Sequence, residues 1–500
     1  VTGTDDQHHD AEELSYGAGG GDEVVIVPWP VLFRRKVERR VASSDRYRWW
    51  VLWSLLAGLF AVNFTFTIFA ISLPRLAREF GSTENTMTWV LTAPLLAYGV
   101  TAPALGRAGD VYGHKRTYLL GLGIASIAAA MSAGAWNVGS LVAARALDGV
   151  CGAATGAASM AIIFRQFEPG DRVKAMGYWS LVGAGGPVIG VIIGGFVIEH
   201  LGWRWIFAAQ VPMCLAALTL AATVLPQTER RTRGRLDKGG AALLTVTTVS
   251  LLFALNRGPE WGWAHPVVVG GFALGPLAGL AFVLVERHAP EPLLPLHYLR
   301  QRNFGFAIAA GALSNFAYLG GFILAPLLLA KVYGYDESRI SWMVIARPLT
   351  FSVSAPLAGY LAVRLGERAS AVTGTSAVLA SMLAFASLTR HSPDVAIIGA
   401  LMLSGIGLGI SSPSIAASVG NAVKESDLGI ASAAQQVMMQ VGTVAGIQLM
   451  VTVQAARQRS SGLVGSFHDA YSMGAAVALL AVICSCFLRS YQRAEAGLPS

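Results

Sequence analysis

Arg145 and Asp148 stand three residues apart inside an apolar stretch, in RALDGVCG (145–152). At i and i+3 on a helix they share a face and can pair. Ionisable groups at membrane depth are costly and mark ion or solute pathways by default. Two readings fit the spacing: a static ion pair that fixes packing, or a carboxyl that exchanges a proton. A second acid, Asp110, sits in GRAGDVYGHKR (106–116) between Gly106 and Gly113. Those glycines allow a tight hairpin, and a carboxylate there can meet basic residues or the amino end of a helix. A third stretch, GAGGPVIGVIIGG (183–195), spaces Gly183, Gly186, Gly190 and Gly194 by three and four, beside Pro187 and Gly195. That spacing makes a groove for close approach of another helix. It is no dinucleotide fingerprint, because no strand precedes it and GxGxxG spacing is absent. The four cysteines offer neither a disulfide framework nor a metal spacing.

The elements that must hold these groups are membrane helices. Apolar residues make up 54% of the 500 and charged residues 13%, against about 25% charged in a soluble protein; mean hydropathy is +0.54. A crossing helix needs about 20 apolar residues. Fourteen stretches qualify: 49–73, 87–105, 117–135, 139–164, 175–198, 203–225, 239–256, 265–285, 304–330, 340–363, 370–388, 395–418, 428–453 and 471–489. The net charge of +8 lies between these spans, so no nucleic-acid partner is expected. With the N-terminus taken as cytoplasmic, inner segments hold 26 of the 37 Lys and Arg and outer loops 9; Arg145 and Arg347 fall within spans. That bias places both termini on the cytoplasmic side of the cell membrane.

No cleavable leader is expected, since a mostly hydrophilic tail of 1–48 precedes the first span. Within it, the short apolar run 24–33 is broken by Pro28 and Pro30 and followed by RRKVERR (34–40). It reads either as a disordered tail with a stop-transfer cluster or as a segment lying on anionic lipid.

The chain also repeats itself. Trp89, Pro103, Gly106 and Gly113 recur 253 positions later as Trp342, Pro356, Gly359 and Gly366. Gly149, Asp171, Gly186 and Gly190 recur 256 positions later as Gly405, Asp427, Gly442 and Gly446. The basic linker RRTRGRLDK (230–238) and two extra spans separate the halves. The expectation is an all-α polytopic membrane protein: a six-helix bundle over 49–225, a linker with two spans over 226–303, a second six-helix bundle over 304–490 and a tail over 491–500. Parallel repeats of this kind belong to alternating-access transporters, with the binding site between the halves.

The loop 106–116 resembles the major facilitator superfamily, whose signature there is Gly, a small turn, Asp, then Gly followed by basic residues. The resemblance implies a conformational latch made by Gly106, Arg107, Asp110, Gly113, Lys115 and Arg116. The second half lacks the acid, with Val363 at that place. The Gly-Pro and Gly-Gly pairs of 183–195 resemble the signature of exporting, proton-coupled members. WRWIFAAQVP (203–212), NRGPEWGW (256–263) and ERHAPEPLLPLHYLRQRNF (286–304) extend the likeness to the fourteen-helix drug:proton antiporter branch, over about 50–490. Gln210 replaces that branch's usual Asn.

Two departures follow from the same comparison. The branch's first-span aspartate is replaced by Thr65, in the register set by Thr67-Ile68 and Leu73-Pro74. In the fourth span, Asp148 stands where the motif usually has Gln. Thr65 and Asp148 lie eight and nine residues from the outer ends of their spans, roughly 12–14 Å deep at 1.5 Å per residue. An acid relocated to Asp148, tuned by Arg145, is therefore the candidate for proton coupling. Family analogy lines the cavity with spans 1 and 4 and their counterparts, which offers Phe64, Thr65, Asn315, Phe316 and Tyr318; Arg347, Gln435 and Gln436 are further candidates.

The expected function is export of a small, largely apolar or amphipathic solute in exchange for protons, driven by the proton gradient without a cofactor. The rival within transport is an uncoupled facilitator, or an exporter of one metabolite or lipid-like cargo. No nucleophile or metal cluster stands at membrane depth, and no P-loop is present, so neither an enzyme nor a primary pump is expected.

Overall fold

A computed structural model of the chain describes residues 46–65, 76, 79–82, 87, 89–227, 238–288 and 297–490. The apolar run 24–33, the cluster 34–40 and linker residues 230–237 lie outside the described residues. Every regular element among the described residues is helical. The first half holds α1 (Tyr47–Asn63), α2 (Trp89–Tyr112), α3 (His114–Ala133), α4 (Val138–Gln166), α5 (Pro169–His200) and α6 (Arg204–Val224). Next come α7 (Lys238–Trp261), α8 (Pro266–His288) and the single turn α9 (His297–Arg300). The second half holds α10 (Arg302–Tyr333), α11 (Glu337–Val344), α12 (Ala346–Leu365), α13 (Glu367–Ala386), α14 (Asp394–Asn421) and α15 (Leu428–Cys486).

Local chemistry sets the helix ends. Asn137 caps α4 by accepting from Ser140 N–H at 2.7 Å, while Ser140 Oγ accepts from Asn137 N–H at 3.2 Å. Pro169 opens α5 at its first position, where a missing N–H costs nothing, and Asp171 in the same turn favours the positive end of the helix dipole. Gly113 separates α2 from α3 at φ 97°, and Gly366 separates α12 from α13 at φ 89°. A side chain at either place would be strained. These two glycines are repeat partners, so the same bend is built twice.

Among the described residues, nine helical stretches are long and apolar enough to cross a membrane, against the fourteen spans expected. Some of the difference has a plain cause. The described part of α1 has 17 residues, the apolar part of α7 runs only over Ala242–Leu255, and the last two candidate spans run together in α15, broken at Gly462.

Packing sorts the helices by depth in the protein. In α4 the most apolar window is 83% buried; in α8, with mean hydropathy 2.2, it is 22% buried. Leu277, Leu280 and Leu284 of α8 thus present their side chains outward, which suits hydrocarbon and not water. In the first half, Tyr118 Oη donates to Leu55 O at 2.8 Å and Gln210 Nε2 to Ala61 O at 3.0 Å, tying α3 and α6 to α1. In the second, Ser381 Oγ of α13 donates to Ala400 O of α14 at 2.8 Å, and Tyr471 of α15 stacks on Phe385 at 4.7 Å. The extra helices α7 and α8 pair with each other, and α7 leans on both α2 and α15.

The repeat is visible in the contacts. A Cβ added at Gly149 would lie 2.2 Å from Pro94 O, and one added at Gly405 would lie 2.1 Å from Arg347 O. Pro94 and Arg347 are themselves 253 positions apart, so α4 on α2 and α14 on α12 are one packing solution used twice.

Candidate functional site

A cavity of about 330 Å³ opens where the two halves face each other. From the first half it is lined by α1 (Leu59, Val62, Asn63), α2 (Pro94, Tyr98), α4 (Asp148, Gly152, Gly156) and α5 (Trp179, Ser180, Gly183). The second half contributes α10 (Asn315, Tyr318, Phe322), α12 (Phe351), α14 (Leu408, Ser412) and α15 (Gln436, Gln440, Thr443). Eight helices therefore build the wall, twice the four expected by analogy. Its character is mostly apolar and aromatic with a few polar groups, the usual make-up of a small-molecule site.

Asp148 is the one acid in this wall among the described residues. Its Oδ2 accepts from Arg145 Nη1 at 2.7 Å, while the buried Oδ1 has no partner among the described residues. Arg145 lies behind it, 1% exposed, with its guanidinium 5.8 Å from the Phe207 ring. The i, i+3 pair expected from the sequence is thus formed, and Asp148 is among the residues that line the cavity.

The other candidates divide. Asn315, Tyr318 and Gln436 line the cavity, and Gln436 Nε2 has no partner among the described residues. Asn315 Nδ2 is occupied by Gly311 O of its own helix at 2.9 Å. Phe64, Thr65, Phe316 and Gln435 are absent from the lining. Phe64 packs with Trp203 and Phe207 in a separate apolar cluster, and Thr65 is fully buried. Phe316 belongs to the second half's core, where its carbonyl meets Gly446. Gln435 is buried one position away from the facing side of α15. Helical phase explains the split: neighbours in sequence are turned about 100° from each other.

The α5 glycines also differ from expectation. A Cβ at Gly183 would meet nothing within 4 Å, because Gly183 faces the cavity, and one at Gly186 would lie an ordinary 3.5 Å from the Phe60 ring. Their repeat partners do make the close approach: Cβ atoms at Gly442 and Gly446 would fall 2.1 and 2.2 Å from the carbonyls of Ala312 and Phe316. Gly190 is buried. The surroundings of Pro187, Gly194 and Gly195 lie outside the described residues.

The loop motif forms a joint between the halves. Asp110 accepts from the N–H groups of Gly429 at 3.1 Å and Ile430 at 3.0 Å, at the first turn of α15. Those N–H groups have no partner inside their helix, and the dipole there favours a negative charge. His114 Nε2 stands 3.1 Å from the same carboxylate. Gly106 lets the backbones meet, since a Cβ there would be 2.3 Å from that of Ala433. Arg107 is buried, Lys115 Nζ donates to Leu225 O, and Arg116 is exposed.

Sequence reading missed the counterpart of this joint. Arg172 of α5 donates to Gly420 O at 3.1 Å and Asn421 Oδ1 at 2.7 Å, at the end of α14. Asn421 Nδ2 and Ser418 Oγ in turn donate to the buried Glu367 at 2.8 and 3.0 Å. Glu367 is the repeat partner of His114, and that offset was the available signal. Tyr98, Trp179 and Ser412 were also unforeseen; nothing local separates them from ordinary packing residues.

Comparison with known proteins places this arrangement. The sequence profile of the Major Facilitator Superfamily matches residues 54–336 and 310–499. The chain is 33% identical over 423 residues to a puromycin resistance protein of Streptomyces alboniger, covering 82% of each. It is 30% identical over 423 residues to the tetracenomycin C resistance and export protein of Streptomyces glaucescens, covering 83% of this chain and 78% of that one. In fold it resembles the crystal structure of a human organic anion transporter, with TM-score 0.64, 15% identity, and coverage of 88% of this chain and 99% of that one. The chain belongs to the major facilitator superfamily, a family of membrane transporters and not of enzymes.

Proposed function

We propose that this member of the superfamily exports a small, largely apolar or amphipathic, drug-like solute in exchange for protons by alternating access. The chain would cross the membrane fourteen times, as bundles 49–225 and 304–490 around the linker and two extra spans of 226–303. The tails 1–48 and 491–500 then lie on the cytoplasmic side. The single observation that carries the reading is a cavity walled by both halves with Asp148 at its surface. Names of relatives, a puromycin resistance protein and a tetracenomycin C resistance and export protein, support a drug-like cargo.

In this reading Asp148 holds the coupling proton on Oδ1 while Arg145 steadies Oδ2. Asp110 and its motif act as the latch. Its carboxylate holds the first turn of α15 against α2, so the conformer with that end closed is favoured. With the tails inside, that end is the cytoplasmic one. Cycling requires the carboxylate to leave those N–H groups as the halves rock.

An uncoupled facilitator is the second reading, favoured by the Arg145 pairing of Asp148 and by Thr65 in place of the branch's first-span acid. Reconstituted protein, given several dyes under an imposed pH gradient, separates the two. Dye movement against its own gradient, reversed when the pH gradient is reversed, supports exchange. Movement only down the dye gradient supports the facilitator.

A further inference from the structure

We propose that two carboxylates share the amino end of α15. Asp110 caps it in the latched conformer, Asp427 caps it once the halves part, and Tyr298 sets the balance between them. The inference rests on the reading of Asp110 as a latch.

Position in the chain brings Asp427 into play. It is the N-cap residue of α15, so Leu428, Gly429 and Ile430 open the helix. An N-cap aspartate ordinarily accepts from the N–H of the second or third helical residue. Those are the two N–H groups that Asp110 holds, at 3.1 and 3.0 Å. Asp427 makes no such cap bond. Glycine at the second position admits the distant acid, since a Cβ at Gly429 would lie 2.5 Å from Asp110 Oδ1.

Tyr298 accounts for where the local acid goes instead. Its Oη donates to Asp427 Oδ2 at 2.9 Å and accepts from Lys424 N–H at 3.3 Å. Asp427 N–H donates to Lys424 O at 2.9 Å, closing a turn that Tyr298 grips at both ends. In that turn Asp427 has φ −115° and ψ 9°, whereas a capping residue is typically extended. The tyrosine is 2% exposed, with the His297 and Phe304 rings 4.1 and 5.8 Å from its own. It sits in α9, the single turn that leads into α10.

Opening then costs less than the latch by itself implies. With Asp110 withdrawn and nothing in its place, two N–H groups at a helix end would lose their acceptor, and the positive end of the dipole its charge. Rotation of Asp427 into extended backbone supplies both from the same chain. That exchange breaks the bond from Tyr298 to Asp427, so Tyr298 favours the latched conformer. Tyr298 is a positioning residue, acting on the latch through Asp427. The segment inserted between the halves thereby acts on the joint between them.

The test reads distances between spin labels on the full chain in detergent, attached through Leu120→Cys of α3 and Leu365→Cys of α12, both exposed, with the native cysteines replaced by alanine. Tyr298→Phe keeps the packed ring and removes the hydroxyl. It should raise the ratio of long to short distances by on the order of tenfold, as loss of a hydrogen bond to a charged group implies. Adding Asp427→Ala should bring the ratio back to that of the parent or below, because only the open conformer then loses an acceptor. Where that double variant does not fold, Asp427→Gly takes its place, since glycine suits an N-cap backbone. An unchanged ratio in Tyr298→Phe would overturn the proposal. So would a double variant as open as Tyr298→Phe or more so, the result expected if the tyrosine merely braces the loop. Asp110→Asn separates this inference from the reading beneath it. A parental ratio in Asp110→Asn overturns the latch and this inference with it. A raised ratio there, with none in Tyr298→Phe, overturns this inference and leaves the latch.

Discussion

Arg347 Nη2 donates to Ser404 Oγ at 2.5 Å, and Ser404 stands in the second half where Asp148 stands in the first. Each half thus holds a buried arginine against the same position of the same repeat helix. In the first half that position carries a carboxylate; in the second it carries a hydroxyl. Arg347 is fully buried, lies 4.2 Å over the Tyr318 ring, and has no carboxylate partner among the described residues. The halves share a frame and differ in charge, so one half alone carries an acid at this depth.

The first prediction completes the missing pair. Ser404→Asp gives Arg347 a carboxylate within reach, a charge-assisted contact worth about 1.5–3 kcal/mol. The variant should melt at a higher temperature than the wild type in the same detergent. A lower melting temperature would show that the hydroxyl already satisfies the guanidinium.

For Asp148, removal of the charge leaves Arg145 buried beside an amide. Asp148→Asn should lose about 3–5 kcal/mol of stability and all transport driven by a pH gradient. Adding Arg145→Gln should recover much of the stability without recovering coupling. Proton flux and melting curves on the single and double variants report the two effects separately. A folded Asp148→Asn protein with full gradient-driven transport would falsify the proton-carrier role.

At the joint between α2 and α15, Asp110→Asn keeps one acceptor but removes the charge that the helix end favours. Couplings of this kind run about 1–3 kcal/mol, a shift of roughly 5–150-fold between conformers. Spin labels placed near the ends of α2 and α15 should show a longer distance gaining population. An unchanged distance distribution would reject the latch.

Among the glycines, Gly149→Val and Gly405→Val should yield little folded protein, because even a Cβ would fall 2.2 and 2.1 Å from backbone carbonyls that cannot move aside. Gly123→Val, where a Cβ meets nothing within 4 Å, should fold as the wild type does. Gly121→Val should fold less well than Gly123→Val, since a Cβ at Gly121 would lie 2.8 Å from Thr155 Cγ2. Equal yields from Gly149→Val and Gly123→Val would contradict the packing described.

Much of the site was legible from spacing. Arg145 and Asp148 pair because i and i+3 share a face whatever surrounds them. Gly113 and Gly366 bend the chain because each alone tolerates the required φ. By contrast, Phe64 and Phe316 were placed at the cavity from their helices alone, and both turn into cores instead. The phase of a helix about its own axis depends on which neighbours it packs against, and an almost uniformly apolar span carries no polar face from which to read it.

Composition, the run lengths and the repeat determined that this is a helical membrane transporter with two related halves. These are properties of single segments or of segments compared with one another, and hydrocarbon imposes them before any packing occurs. Only the tertiary structure decided what crosses between segments. It put Asp110 on the first turn of α15, Arg172 on the end of α14, and Arg347 against Ser404. It also brought Asp148 and Gln436 to one cavity from opposite halves. Those partners are tens to hundreds of residues apart, and their meeting follows from how helices pack within and between the halves, which no local spacing encodes.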